Sequence, residues 1–203
     1  MTAHACCNIV LAGVGGQGIL LASEIVARAA LAAGHDVKTN EVHGMAQRGG
    51  SVIAQIRYGT KVHSPLVELG TAQVLGSLER IESLRCADYL APDGLAVVSS
   101  QMVIPITVSS GQAVYPADAE ARIRKAFPRL VYLDAAALAG EAGNVKCSNV
   151  VVVGALSMGL TLPLEAWQQA IRQAVKPRFV EVNLRAFEAG RRHDSADCLA
   201  VEN

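Results

Sequence analysis

The sequence is poor in charged and aromatic side chains. Among its 203 residues, Asp, Glu, Lys and Arg make up 18% and Phe, Trp and Tyr only 4%, whereas hydrophobic residues reach 51%. Because globular domains usually carry about 25% charged residues, we expect a partner to cover part of the apolar surface. The apolar residues are mostly Ala, Val, Leu and Ile, a mix typical of an α/β protein with buried parallel strands.

Several signals of other protein classes are missing. The formal net charge is zero and no basic block occurs, so the sequence offers no electrostatic support for nucleic-acid binding. No apolar run reaches the roughly 18 residues that a membrane span needs. The first ten residues, "MTAHACCNIV", lack a basic region in front of an apolar one, so we expect no secretory signal and a cytoplasmic protein.

The cysteines do not form a metal-binding pattern. There are five, at positions 6, 7, 86, 147 and 198, and none of them forms a CxxC pair. We therefore predict neither a zinc site nor an iron–sulfur cluster on this chain. The odd, scattered set fits reduced thiols. Cys6 and Cys7 begin an apolar strand, where packing is the expected role.

The first two thirds of the chain alternate between strands and helices. Predicted strands are "CCNIVLAG", "DVKTNEV", "SVIAQIRYG", "TAQVLGSL", the segment after the turn "PDG", a short edge segment "IPITV", and "RLVYLDA". Predicted helices are "QGILLASEIVARAALAAG", which ends at Gly34, then "ERIESLRCADYL" and "ADAEARIRKAF". "SVIAQIRYG" places Val52 and Ile56 on one face and Gln55 and Arg57 on the other. Its link to the preceding strand is short, so we expect it to be antiparallel.

After position 134 the pattern becomes helical. We predict helices in "AALAGEAG", "NVVVVGALSMGL", "PLEAWQQAIRQAV" and "RFVEVNLRAFEAGRR". The order predicts an α/β fold with a Rossmann-like, mostly parallel sheet flanked by helices and a helical C-terminal layer. Residues 1–192 form a single domain in this interpretation, and residues 193–203 form a polar, frayed tail.

A glycine-rich loop follows the first strand. "GVGGQG" contains Gly13, Gly15, Gly16, Gln17 and Gly18, with three of the glycines in GxGxxG spacing between a strand and a helix. Backbone N–H groups in such a loop can approach an anion, and the helix N-terminus adds partial positive charge. A phosphate or pyrophosphate is the expected ligand. The alternative is that the glycines only permit a tight turn and close packing of strand and helix.

A second loop, "EVHGMAQRGG", precedes the third strand. Its residues with polar or permissive chemistry are Glu41, His43, Gly44, Gln47, Arg48, Gly49 and Gly50. The Arg48 guanidinium can bind a phosphate or carboxylate through two parallel hydrogen bonds, and Gly49 and Gly50 give the backbone freedom to turn. The alternative for Arg48 is a structural bond to a carbonyl or to Glu41. We predict that the two loops lie side by side at the carboxyl ends of strands one and two.

Other polar residues have structural explanations. Asn149 and Asn183 lie in apolar helices, where a buried Asn usually bonds the backbone. Trp167 is expected to pack in the core or at an interface. Glu68, Glu79 and Glu82 are expected to be solvated or paired on the surface.

Taken together, the motifs resemble a known family. "GVGGQGILLASEIVARAA", "EVHGMAQRGGSVIAQIRYG" and "SPLVELGTAQVLGSLERIESLR" are similar to the gamma-type subunit of 2-oxoacid:ferredoxin oxidoreductases. The form "EVHGMAQRGGSV" is most similar to the branch that contains the indolepyruvate:ferredoxin oxidoreductase beta subunit. The resemblance extends from position 8 to about position 190, because "GNVKCSNVVVVGAL" and "VEVNLRAFEAG" also fit the family.

This resemblance implies a subunit of an enzyme that oxidatively decarboxylates a 2-oxoacid to an acyl-CoA. Thiamine diphosphate and iron–sulfur clusters are then expected on a larger partner subunit, with ferredoxin as the electron acceptor of the complex. Coenzyme A is the co-substrate expected at the two loops, which supply the cofactor-binding residues. No catalytic residue and no metal ligand is assigned to this chain. Alone, we expect it to be inactive and to form a homodimer that hides its apolar patch.

Two other functions remain open at this point. One is a stand-alone module that binds a nucleotide or coenzyme A without catalysis. The other is an NAD-dependent dehydrogenase, in which Glu41, 23 residues beyond Gly18, would bind a ribose. The second alternative would also need a catalytic acid or base, and the sequence has no Ser/Tyr/Lys arrangement of the YxxxK type.

Overall fold

The computed structural model describes residues 6–44, 49–104, 108, 111–112 and 114–197, with side chains as far as residue 193. The strands are β1 Cys7–Val14, β2 Asp36–His43, β3 Ser51–Gly59, β4 Ala72–Ser77, β5 Leu90–Ser99 and β6 Leu130–Leu133. The α-helices in this part of the chain are α1 Ile19–Ala32, α2 Arg80–Arg85, α3 Ala119–Ala126, α4 Ala135–Glu141, α5 Ser148–Ser157, α6 Leu164–Ala174 and α7 Val180–Asp197.

The strands form one sheet in the order β2-β3-β1-β4-β5-β6. β1, β4, β5 and β6 pair in parallel, whereas β3 lies between β2 and β1 and runs antiparallel to both. The antiparallel orientation predicted for β3 is therefore confirmed. Because β3 is antiparallel to both of its neighbours, β2 and β1 run in the same direction. The carboxyl ends of these two strands thus lie at the same end of the sheet.

Helices cover the sheet on both faces. On one face, α1 and the C-terminal helices α4 to α7 share a core with the sheet that includes Ile25, Ile56 and Trp167. On the other face, α2 and α3 cover a smaller core around Val10, Leu75 and Ile123. This arrangement confirms the predicted α/β fold with a helical C-terminal layer.

The apolar residues of α1 form one buried face, as their periodicity predicts. Its buried residues are Ile19, Ala22, Ser23, Ile25, Val26, Ala29 and Ala30. They repeat at three- and four-residue intervals, so they form one stripe that packs on the sheet. The helix ends as predicted: Gly34 follows with φ of 86° and donates its N–H to the Leu31 carbonyl at 3.0 Å.

Two buried asparagines of the C-terminal layer donate hydrogen bonds to backbone carbonyls. Asn149 donates from Nδ2 to the Gly18 carbonyl at 3.1 Å, and Asn183 donates to the Phe179 carbonyl at 2.8 Å. The Trp167 ring is fully buried, with its centroid 5.8 Å from that of Phe187. The structural roles predicted for these three residues are confirmed.

Three local predictions need correction. β5 already begins at Leu90, so the segment expected to be a turn lies inside a strand whose register against β4 shifts between Ala72 and Val74. The lack of a side chain at Gly94 permits this shift in register, because a Cβ there would lie 2.9 Å from the Ala72 carbonyl oxygen.

The bounds of two helices also differ from those predicted. α2 spans only Arg80–Arg85 and is followed by a 3₁₀ turn. α7 extends to Asp197, beyond the start of the predicted tail. Most of "IPITV" lies outside the described residues.

The described cysteines form no disulfide. Cys6 and Cys7 are half-buried, while Cys86 and Cys147 are buried on opposite faces. The described residues include no cluster of three or more His, Cys, Asp or Glu that could hold a metal ion. None of the helices within the described ranges has the length and apolarity needed to cross a membrane.

A candidate anion-binding site at the carboxyl ends of β1 and β2

The glycine loop and the turn before β3 are hydrogen-bonded to each other. The Gly15 N–H donates to the Gly50 carbonyl at 2.8 Å, and the Gly49 N–H donates back to the Gly15 carbonyl at 3.4 Å. Gly49 has φ of 76°, a conformation that favours glycine. The predicted proximity of the two loops is thus confirmed at these glycines. Gln47 and Arg48 lie outside the described residues.

The loop leads into the N-terminus of α1. Gly18 is the N-cap residue, with φ of 86°, and no side chain caps the first turn. The first N–H groups of a helix have no intrahelical acceptor and carry the positive end of the helix dipole. An external anion can therefore accept hydrogen bonds from them.

A cavity of about 540 Å³ opens at this helix end. Its described walls are Val14, Gly15, Gly16, Gly18, Ile19, Leu20, Leu21, His43 and Val52. Aliphatic side chains thus surround a polar end made of backbone groups. Such a site suits a ligand that joins an anionic group to an apolar part.

The predicted residues of the second loop contribute unequally to the cavity. His43 is exposed, ends β2 and lines the cavity. Its Nδ1 lies 3.3 Å from the Gly44 carbonyl oxygen. Glu41 pairs with Ala54 across the β2–β3 ladder and shares its sheet face with His43, but it is exposed and not among the described wall residues.

Two residues of the glycine motif contact the protein rather than the cavity. Gln17 Oε1 accepts from the Val14 N–H at 2.7 Å, and Nε2 donates to Leu78 O at 2.9 Å and to Gln101 Oε1 at 3.1 Å. A Cβ on Gly13 would lie 2.9 Å from Gln17 Oε1. Neither residue appears among the described cavity walls.

Glu79 was expected at the surface, and that prediction is wrong. Its side chain is buried, and Oε2 accepts from the N–H groups of Ile81 and Glu82 at 2.6 and 3.0 Å. Oε1 accepts from the Tyr115 hydroxyl at 2.8 Å. Burial raises the pKa of Tyr115 to about 12, with Arg80 opposing the rise and Glu79 adding to it. Glu79 therefore caps the N-terminus of α2. The one sequence signal for this role is the position of Glu79 between an apolar strand and a helix.

Glu82 is also buried, contrary to prediction, and it contacts the start of β3. The Ser51 hydroxyl donates to Glu82 Oε2 at 2.5 Å, and Arg85 Nε lies 3.6 Å from Oε1. Since Ser51 follows Gly50 directly, Glu82 anchors the turn that pairs with the glycine loop. Glu68 is exposed, as expected.

Comparison with known proteins gives the family context. The family model described as pyruvate ferredoxin/flavodoxin oxidoreductase matches residues 8–193. The indolepyruvate oxidoreductase subunit IorB of Thermococcus kodakarensis is 45% identical over 188 residues, which cover 90% of this chain and 93% of the relative. IorB of Archaeoglobus fulgidus is 44% identical over 187 residues, covering 90% and 92%.

Solved structures share the fold. The gamma subunit of a keto/oxoacid ferredoxin oxidoreductase from Geobacter sulfurreducens superposes with a TM-score of 0.69 at 22% identity, covering 94% of this chain and 99% of that one. Pyruvate oxidoreductase subunit PORC from Thermotoga maritima gives 0.67 at 24% identity, covering 94% and 96%. The family match over residues 8–193 and the IorB identities lead to one conclusion: this chain belongs to the pyruvate ferredoxin/flavodoxin oxidoreductase family.

Proposed function

We propose that the chain is the small subunit of a 2-oxoacid:ferredoxin oxidoreductase of the indolepyruvate type. The IorB relatives, at 44–45% identity over nearly their whole length, support this assignment. The enzyme would oxidatively decarboxylate an aryl pyruvate to its acyl-CoA and pass the electrons to ferredoxin.

The chemistry of the 2-oxoacid belongs, in this proposal, to a larger partner subunit. Thiamine diphosphate would supply the carbanion there, and iron–sulfur clusters would carry the electrons. Among the described thiols, Cys86 and Cys147 cannot ligate one cluster together, because they are buried in cores on opposite faces of the sheet. Its contributions are subunit contacts and a crevice for coenzyme A.

The observation that carries the coenzyme A proposal is the uncapped N-terminus of α1 facing an apolar cavity. Coenzyme A joins phosphates to a less polar remainder, which is the combination that these walls suit. The N–H groups around Gly16 and Gly18 would bind a phosphate oxygen, and His43 would contact the same group from the rim. Arg48, predicted from the sequence alone, would add a guanidinium.

A change at Leu20 tests the site without weakening the helix. Leu20 is 53% exposed, lies in the first turn of α1 and lines the cavity. In Leu20→Asp the new carboxylate should stabilise the helix end but repel a phosphate. The KM for coenzyme A of the assembled enzyme should rise about tenfold, as expected for like charges a few ångströms apart, and less at high salt.

The matched control is Leu20→Asn, which removes the same apolar side chain without adding charge. The readout is 2-oxoacid-dependent dye reduction by the chain co-expressed with its thiamine-binding partner. Equal KM values for the two variants would contradict a phosphate at this helix end. Binding of coenzyme A without any activity in the presence of that partner would instead support a stand-alone binding module.

A further inference from the structure

Both polar groups of the Gln17 side chain, inside the glycine motif, hydrogen-bond to the protein. Both Gln17 amide hydrogens point to protein acceptors, Leu78 O and Gln101 Oε1, and its carbonyl oxygen accepts from Val14 N–H. The Gln17 N–H also closes the loop by donating to the Val14 carbonyl at 3.1 Å.

These partners come from three different strand ends. Val14 is the last residue of β1, Leu78 follows β4, and Gln101 lies two residues beyond the end of β5. One side chain therefore ties the glycine loop to the carboxyl ends of three neighbouring parallel strands. At Gly16, by contrast, an added Cβ would meet nothing within 4 Å, so side-chain packing does not hold this part of the loop.

Gly13 is part of the same arrangement. A Cβ at Gly13 would lie 2.9 Å from Gln17 Oε1 and 2.8 Å from Ile19 Cδ1. The first glycine of the motif thus makes room for the Gln17 side chain and for α1.

We propose that Gln17 is a positioning residue for the coenzyme A site, acting through the backbone of Gly15. Gly15 lies between the two points that Gln17 holds together, and it is the residue that exchanges hydrogen bonds with Gly49 and Gly50. Fixing Val14 and Gln17 fixes the register of Gly15 against that turn. It also fixes the direction of the N–H groups at the start of α1. This inference rests on the proposed function of the cavity.

The test compares Gln17→Met with Gln73→Met in the full chain. Met preserves the length of the side chain but removes the amide. Gln73 is a matched control, because its Oε1 accepts from a β1 N–H, that of Asn8, at the opposite end of the strand at 2.6 Å. Amide hydrogen exchange by NMR without ligand reports loop order, and a coenzyme A titration reports the site.

In Gln17→Met, exchange at the Gly15 amide should accelerate at least tenfold relative to the amides of central β1. The dissociation constant for coenzyme A should rise about tenfold, and kcat of the assembled enzyme should stay within twofold. Gln73→Met should lower the melting temperature and leave the ratio of Gly15 to core exchange unchanged. If Gln17→Met does not fold, Gln101→Ala, which removes only one of the three bonds, should accelerate Gly15 exchange several-fold.

Equal acceleration at Gly15 and in central β1, or none at all, would overturn the positioning role. So would an unchanged coenzyme A affinity in a variant whose loop is loosened. Absence of coenzyme A shifts at Gly15, Gly16 and Gly18 in the unmodified chain would overturn the proposed coenzyme A crevice. The exchange comparison would still decide whether Gln17 orders the loop.

Discussion

At Gly18, two separate constraints exclude a side chain. Its φ of 86° lies in the left-handed region, and a Cβ would approach Asn149 Nδ2 to 2.6 Å. Asn149 is buried and donates to the Gly18 carbonyl from α5. The last glycine of the motif therefore joins the loop to the C-terminal helical layer, more than 130 positions away in the sequence.

A comparison of two alanine variants separates these constraints. Gly34 also has a φ of 86°, but a Cβ there would meet nothing within 4 Å. Gly34→Ala should therefore lower the free energy of unfolding only by the backbone strain, about 1–2 kcal/mol. Gly18→Ala should cost at least about 1 kcal/mol more, because Asn149 must also move. Urea unfolding gives both free energies. Equal losses of unfolding free energy in the two variants would show that the Asn149 side chain can move away at no cost.

The role of Arg48 in coenzyme A binding is predicted from the sequence alone. Arg48→Ala should weaken coenzyme A use by the assembled enzyme by about 1.5–3 kcal/mol, the range for a hydrogen bond to a charged group. The melting temperature should change little. A coenzyme A titration beside a thermal melt measures both, and a lower melting temperature with unchanged affinity would assign Arg48 a structural bond instead.

The acidic residues show where residue-level prediction failed. Glu79 and Glu82 are separated by three positions, as on any solvated helix face, yet both are buried. Their partners Tyr115 and Ser51 are 36 and 31 positions away. No local pattern can indicate that a carboxylate will be satisfied by groups so distant in sequence.

Among the elements, β3 explains how the site is assembled. Its alternation of apolar and polar residues predicted a strand with two different faces, and Val52, Ala54, Ile56 and Tyr58 do share the face covered by α1. Its insertion between β2 and β1 is a tertiary result. That insertion places the Gly49–Gly50 turn beside Gly15.

The contact between α5 and α7 depends on glycine at the point of closest approach. A Cβ on Gly154 would lie 2.0 Å from the Phe187 carbonyl oxygen, and one on Gly190 would lie 2.0 Å from the Val151 carbonyl oxygen. The backbones of these helices therefore meet without intervening side chains. α5 is buried along almost its whole length, so it cannot shift outward easily.

Gly154→Ala should destabilise the chain by about 3 kcal/mol or more, since the added methyl must separate two helices. The matched variant is Gly140→Ala in α4, where a Cβ meets nothing within 4 Å. There alanine should stabilise by about 0.5–1 kcal/mol through its better helix propensity. Chemical denaturation measures both, and a stable Gly154→Ala chain would contradict the close packing of α5 on α7.

At the scale of the whole molecule, ionisable groups buried in both cores make stability sensitive to alkaline pH. Burial raises the pKa of Cys86 to about 11, with Glu82 adding to the rise and Arg85 opposing it. Burial likewise raises the pKa of the Tyr58 hydroxyl, beside Cys7. In the folded chain these groups stay protonated at a pH where the unfolded chain has begun to release the same protons.

The contribution of the Cys86 thiol to stability should therefore be constant below about pH 9 and fall as the pH rises toward its folded pKa. The contribution of that thiol is about 1 kcal/mol per pH unit between pH 9 and 11. Measured by urea unfolding at pH 8, 9.5 and 10.5, the stability cost of Cys86→Ala should shrink as the pH increases. A cost that is independent of pH would contradict the raised pKa.

The sequence by itself determined the main strands and helices, the α/β class, the antiparallel β3 and the family. These follow from local periodicity, from glycine positions and from contiguous motifs, all of which act over a few residues. Tertiary structure alone decided that Gln17 binds three strand ends, that Asn149 supports Gly18 and that Glu79 and Glu82 are buried. The physical reason is that hydrogen-bond partners in a parallel sheet come from strand ends separated by whole crossover connections. Only the assembled sheet brings those ends together.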